Sequence, residues 1–364
     1  MRKSKYLILN SFYFKIFHDL EEIIKARNPF LKQNLLDLSR FDSLKIINSS
    51  AFNNHNINFI FLPSNITAIG SFAFKENKIK FINLSYCKKL QKFDYSIFSD
   101  NEIVYLKLPY NIKSIDMGSF DHNKIKKIDI SICENLEAIE DWSFYENHIT
   151  SLDLSNCINL KIIGEKSFLN NQIKELKLPE NIEIIGSESF LINKIETLDL
   201  SSCINLNIIN ECAFESNQIK QLKLPKNIET LSFSSFAYNK IQNLDLSNCI
   251  KLKNIEEYAF KENQIKHLKL PKNIKKIELS AFLNNKIEIL DLSNCIKLKH
   301  IVFDAFSSNP LNEIKILDNI NVDYYNYTEY KDDLWSKFIK YYKNNNKKAG
   351  DYKLENNKWQ WYPL

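Results

Sequence analysis

Glycine is scarce in this chain, with 5 among 364 residues, and proline is little commoner at 8. Ordinary turn chemistry relies on those two residues, so another side chain must do the turning, and asparagine is abundant throughout. No apolar run is long enough to cross a bilayer, which takes about 20 residues in a helix. Charge of one sign is not in excess either: 49 basic and 44 acidic side chains leave +5, which gives no nucleic-acid footprint. Gly70, Gly118, Gly164, Gly186 and Gly350 stand too far apart for a dinucleotide fingerprint or a phosphate loop. The histidines at 18, 55, 122, 148, 267 and 300 form no H-E-x-x-H, and no C-x-x-C pair with zinc-finger spacing exists. No nucleophile and base can be paired. These absences lead to the expectation of a non-enzyme without cofactor or metal. A content of 44% hydrophobic and 13% aromatic residues excludes global disorder.

Self-similarity supplies the architecture. LDLSNC begins at Leu152, LDLSSC at Leu198, and LDLSNC again at Leu244 and Leu290, 46 residues apart each time. LKLPEN from Leu176 and LKLPKN from Leu222 and Leu268 fall between them, so each unit holds two coils of 24 and 22 residues. Strands are expected to start at 36, 60, 82, 106, 128, 152, 176, 198, 222, 244, 268, 290 and 314, with two long coils in succession at 128 and 152. Within a coil, as in Ile173, Leu176, Leu178, Pro179, Ile182, Ile185 and Phe190, apolar residues recur first at period two and then at about three. That describes a short strand followed by a turning segment, both pointing inward. A lone coil cannot bury such a face, but coils stacked in parallel ~4.8 Å apart can.

Two columns follow from the register. Phe52, Phe74, Phe98, Phe120, Phe144, Phe168, Phe190, Phe214, Phe236, Phe260, Phe282 and Phe306 hold one position in successive coils and are expected to stack. Three residues after each comes Asn at 77, 101, 123, 147, 171, 193, 217, 239, 263, 285 and 309, with His55 as the exception. Asparagine caps backbone groups and tolerates left-handed dihedrals, so this column is expected to turn the chain without glycine.

These residues carry a family resemblance. The pattern LxxLxLxxCxxLxxI resembles leucine-rich repeats, and the IxxxxF turn with LPxNIxxI coils is similar to the BspA-type repeats of bacterial and protist surface proteins. The common form of that family has Cys where this chain has its Asn column. The resemblance implies a leucine-rich-repeat solenoid with a parallel sheet on its concave face and short helical or irregular turns on its convex side. It also implies an adhesin-like or surface-antigen-like protein, on the cell surface or secreted, that binds a host or matrix protein.

Three segments are expected: an N-terminal helical cap over 1–35, the solenoid over 36–322, and a C-terminal cap over 323–364 with a helix at LWSKFIKYYK and a hairpin turning at Asn356 and Asn357. The opening MRKSK fits an export signal, but Asn10, Ser11 and Lys15 interrupt the apolar run and no small-residue cleavage site follows. Cys87, Cys133, Cys157, Cys203, Cys249 and Cys295 share one repeat position, mostly about 10 Å apart from twice the strand spacing, too far to bridge. Buried thiols are expected, with Cys212 outside the column. The weak signal and the missing disulfide framework keep a cytoplasmic adaptor open as a second reading.

The concave columns are the candidate contact surface. Asp153, Lys177, Asp199, Lys223, Asp245, Lys269, Asp291 and Lys315 alternate in sign strand by strand, a self-neutralising ladder that also penalises a slip by one coil. Asp129 beside Asp153 breaks the alternation. Toward the N-terminus the outward positions turn aromatic at Phe59, Phe61, Phe81, Tyr86, Tyr105 and Tyr110. Two readings stand: an exposed patch for a protein partner, or a surface covered by residues 1–35. The same aromatics also suit a carbohydrate-binding module, because sugar rings stack on them.

Overall fold

The structure is a computed structural model, and it describes residues 34–130, 132–322 and 333–364. The expected helical cap at 1–35 therefore lies almost wholly outside the described residues, as does the start of the expected C-terminal segment. The chain forms two compact units, Met1–Ile182 and Glu183–Leu364.

In the first unit, three-residue strands recur at Leu35–Asp37, Phe59–Phe61, Phe81–Asn83, Tyr105–Lys107, Lys127–Asp129, Ser151–Asp153 and Glu175–Lys177. Parallel, in-register pairing joins Leu35–Asp37 to Phe59–Phe61, Tyr105–Lys107 to both Phe81–Asn83 and Lys127–Asp129, so that Leu106 lies between Ile82 and Ile128, and Ser151–Asp153 to Glu175–Lys177. The central residue is inward and the flanking two outward, which is why hydrophobic residues alternate with polar ones. Nine or eleven residues on, each coil makes a second, two-residue strand. Lys92–Phe93, Ser114–Ile115, Ala138–Ile139 and Ile162–Ile163 stack in parallel this way. Sequence periodicity gave no sign of that second sheet, because two residues are too few to show a period.

The second unit repeats the scheme. Its longer strands are Thr197–Asp199, Gln221–Lys223, Asn243–Asp245, His267–Lys269, Ile289–Asp291 and Glu313–Ile316. Short strands run in parallel from Ile208–Ile209 to Asn321–Val322. Each unit is thus a parallel β-solenoid of leucine-rich-repeat type. The turning segments are irregular: none of the described residues between 34 and 322 is helical.

The phenylalanines stack as expected. From Phe52 to Phe168 in the first unit, successive ring centroids lie 5.2–5.5 Å apart with interplanar angles of 5–13°. From Phe190 to Phe306 in the second the spacing is 5.2–5.6 Å at 3–8°. Except for Phe52 these rings are fully buried. Burial of each contributes roughly 1.5–3 kcal/mol, so the column dominates the packing.

The asparagine column needs a correction. Asn239 Nδ2 donates to the carbonyls of Phe214 in the preceding coil, at 2.9 Å, and of Phe236 in its own, at 3.1 Å, while its Oδ1 accepts from the N–H of Ile219 at 3.0 Å. Asn101 and Asn123 repeat the arrangement in the first unit, and Asn147 differs only in donating to Tyr145 rather than Phe144 within its own coil. These amides cap backbone groups as expected, and in doing so bolt coil to coil, but no residue of the column is left-handed. Left-handed backbone falls one position earlier, at Glu76, His122, Ile192 and Tyr238 among others, and again two before every Phe of the column except Phe306, as at Phe72, Trp142 and Cys212. An amide fixed between two coils already has its backbone set by those bonds, so the turn moves to its neighbour. Such turns cost of order 1–3 kcal/mol in a non-glycine residue. The cost is offset by a bond to the next coil, as from Ile192 N–H to the Glu215 carbonyl at 3.1 Å. Few glycines are present even though left-handed positions abound.

At its C-terminal end the second unit changes design. Asp333 caps the helix Leu334–Asn344 by accepting from Ser336 N–H, and the helix buries Trp335, Phe338, Ile339 and Tyr342. The Trp335 ring closes the phenyl column edge-on, 5.1 Å from Phe306. A hairpin, Gly350–Glu355 and Lys358–Tyr362, then adds to the longer-strand sheet in antiparallel fashion. Its turn residues Asn356 and Asn357 both have positive φ, which matches the right-handed twist of the strands.

Candidate interaction surface

Side chains that flank the inward leucines stand on the outer face of the longer-strand sheet. In the first unit that face carries Phe59, Phe61, Phe81 and Tyr105, with Phe81 directly opposite Tyr105 across paired strands. Phe61 and Phe81 are 51% and 54% exposed, an unusual state for rings of this size. Tyr86 and Tyr110, expected in the same columns, instead sit in the turns after their strands. Tyr110 is exposed, whereas the Tyr86 hydroxyl accepts from the N–H of Leu62 at 3.3 Å, and burial raises its pKa. Lys80, Lys126 and Lys127 border the aromatic rows, and their exposed ammonium groups make no ion pair among the described residues.

The charge ladder pairs by twos. Lys177 meets Asp153 at 3.0 Å in the first unit, and in the second Lys223 meets Asp199 at 2.9 Å and Lys269 meets Asp245 at 3.6 Å. Lys315 meets Glu313 at 3.3 Å rather than Asp291, because Glu313 lies on the same face of its own strand. Asp129, expected as the unneutralised break, is paired with Lys107 of the preceding coil at 3.0 Å. Lys107 holds the same place in LKLPYN as Lys177 does in LKLPEN, so the ladder extends one step further toward the N-terminus than Asp153. The sequence pattern missed Asp351, which the hairpin places opposite Lys315 as a continuation of the ladder.

Each acid does a second job. Asp153, Asp199, Asp245 and Asp291 accept from both the N–H and the hydroxyl of the serine two residues on, at 2.9–3.1 Å and 2.5–2.6 Å. This local turn is the reason for the DLS triplet. The serine hydroxyl first, and the lysine after it, hold Asp153, Asp199 and Asp245 below the usual carboxylate range. Asn83 performs the same turn for Ser85 without a charge. A further asparagine column, unread in the sequence, ties the turns together: Asn227 donates to the Ile204 carbonyl at 3.1 Å, and Asn273 to that of Ile250 at 2.8 Å.

All seven cysteines are free thiols. Burial pushes Cys87, Cys133, Cys157 and Cys295 up to about 12 and Cys249 to about 11. Cys133 and Cys157, the pair expected to come closest, each donate to a carbonyl of the preceding coil, of Pro109 and Ile130. Cys212 falls outside the column because it occupies a left-handed turn position. Among the described residues no group of His, Cys, Asp or Glu is arranged to hold a metal ion, and no helix is long and apolar enough to cross a membrane.

Three solved structures that this chain resembles are the functional domain of InlJ from Listeria monocytogenes, the pneumococcal vaccine antigen PcpA, and a leucine-rich repeat protein from Bacteroides ovatus. The first is 19% identical with a TM-score of 0.45, covering 78% of this chain and 56% of that one, so the chain spans just over half of its length. PcpA is 18% identical at 0.43, covering 77% and 76%, and the Bacteroides protein 20% identical at 0.44, covering 81% and 72%. No curated protein matches. The family model for the BspA type leucine rich repeat region matches residues 26–148, 91–220, 137–252 and 229–347. With these matches running from 26 to 347, the chain belongs to the BspA-type leucine-rich-repeat family.

Proposed function

We propose that this protein is a non-catalytic interaction scaffold that binds a protein partner through its concave sheet, chiefly the rows of Phe59, Phe61, Phe81 and Tyr105. The observation that carries this is the exposure of Phe61 and Phe81, both more than half open to solvent on the outward faces of the strands Phe59–Phe61 and Phe81–Asn83. Large rings on a preordered surface bind with little loss of conformational entropy, and aromatic residues are typical of interface centres. The bordering Lys80, Lys126 and Lys127 favour a partner segment that is both apolar and acidic. In the second unit the paired acids and lysines neutralise one another, which makes the outward face of its longer strands a poorer docking site.

Display outside the cell, as an adhesin or surface antigen, is the form of this role that the family favours. The reduced column thiols do not argue against it: buried, with Cys87 pushed up to about 12 and Cys249 to about 11, they would stay reduced in an oxidising medium too.

The test replaces Phe61, Phe81 and Tyr105 with Ser and compares the variant with the parent protein in a pull-down from a protein extract and on a glycan array. A protein band lost in the variant, with an unchanged melting temperature, supports the reading. Glycan binding without a protein band replaces it with a carbohydrate-binding role. An equal loss of stability shows that the rings are covered in the folded chain.

A further inference from the structure

Among the described residues, the longer-strand sheet at the C-terminal end of the second unit finishes at Lys358–Tyr362, which pairs on one side only, with Gly350–Glu355. The register, with Glu355 opposite Lys358 around a two-residue turn, directs the backbone groups of Lys358, Gln360 and Tyr362 inward to that partner. The N–H and C=O groups of Trp359 and Trp361 therefore point out of the open edge, and they accept or donate no backbone bond among the described residues. The buried indole N–H of Trp359 likewise finds no acceptor there. Natural edge strands are usually guarded by proline, a bulge or an inward charge. This one has none of them within it: Pro363 comes only after its last residue, and its one charge, Lys358, lies at its far end.

We infer that this edge pairs with the same edge of a second copy, antiparallel about a two-fold axis through Gln360. Centred there, Trp359 of one copy exchanges both backbone bonds with Trp361 of the other, and Gln360 faces Gln360. On the outer face Lys358 then lies across from Tyr362, whose hydroxyl donates to the Glu355 carboxylate at 2.7 Å. The lysine charge of each copy thus meets an acid of the other, and no like charges oppose. A shift of two residues in either direction leaves a tryptophan backbone unpaired, so the sequence fits a single register.

Sedimentation velocity on the full chain tests this with the parent protein, Gln360→Lys, Gln360→Glu and an equimolar mixture of the two variants. Gln360 is exposed, so neither change disturbs packing, and equal melting temperatures verify that. The parent forms a concentration-dependent dimer. Either variant alone dimerises roughly tenfold more weakly or worse, because like charges face across the axis, and the mixture regains parental affinity. A parent that stays monomeric at every concentration overturns the inference. So does a dimer indifferent to both substitutions.

Discussion

Trp335 stands edge-on against Phe306, ring centroids 5.1 Å apart and planes at 65°, with its indole N–H donated to the carbonyl of Phe303. A stack of parallel rings can be extended without limit, so something must stop it, and a perpendicular ring presents its edge where the next phenyl would present its face. Trp335→Ala should lower stability in urea melts by about 3–5 kcal/mol, with Trp335→Phe losing markedly less. An alanine variant as stable as the parent would show that the helix Leu334–Asn344 does not close the column.

The buried asparagines should matter far more than the exposed ones. Asn239→Ala strands the Ile219 N–H and two carbonyls between coils, at about 1–3 kcal/mol for each unsatisfied buried group. Asn227→Ala frees one exposed carbonyl that water can take, and should cost under about 1 kcal/mol. Paired denaturation curves measure the difference.

Ile192 is β-branched, half exposed, and held at φ 55°. A branched side chain crowds its own backbone in that region, and glycine does not. Ile192→Gly or Ile192→Asn should therefore raise the melting temperature, by about 1 kcal/mol in stability terms, a reversal of the usual effect of glycine.

Asp199 joins a turn bond to Ser201 and an ion pair to Lys223, and the two can be separated. Asp199→Asn keeps the turn, as Asn83 does naturally, and should cost under about 1 kcal/mol because the lost pair is exposed. Asp199→Ala loses both and should cost about 1 kcal/mol more. Because the folded-state pKa values of Asp153, Asp199 and Asp245 are depressed, their contribution is complete above the ordinary value of 3.8 and disappears as the pH falls through the lower folded values. Melting temperatures taken downward from about pH 5 should fall more gently in the Asp199→Asn protein than in its parent.

Burial predicts silent thiols. At about pH 8 a disulfide reagent should label none of the column cysteines in the native protein, and all of them once denaturant is added. Rapid labelling of Cys87 or Cys295 without denaturant would contradict their burial.

The repeat, the inward columns and the phenyl stack were legible because a structure that repeats every 22 or 24 residues writes each contact many times over. Phe190, Phe214 and Phe236 announce one another even though they lie far apart in the chain. Events that happen once leave no such record, as with the choice of Glu313 by Lys315 or the arrival of Asp351 at the end of the ladder.

The sequence by itself determined which residues face inward, because apolar periodicity is a local property of the chain and burial follows it. Only the tertiary structure decided where the backbone turns left-handed. That choice belongs to the bonds between coils: once Asn239 is fixed to Phe214, Phe236 and Ile219, its own dihedrals are no longer free and the turn passes to Tyr238. The open edge at Trp359 and Trp361 was likewise decided by folding, since which backbone groups remain unpaired depends on which strands have already met.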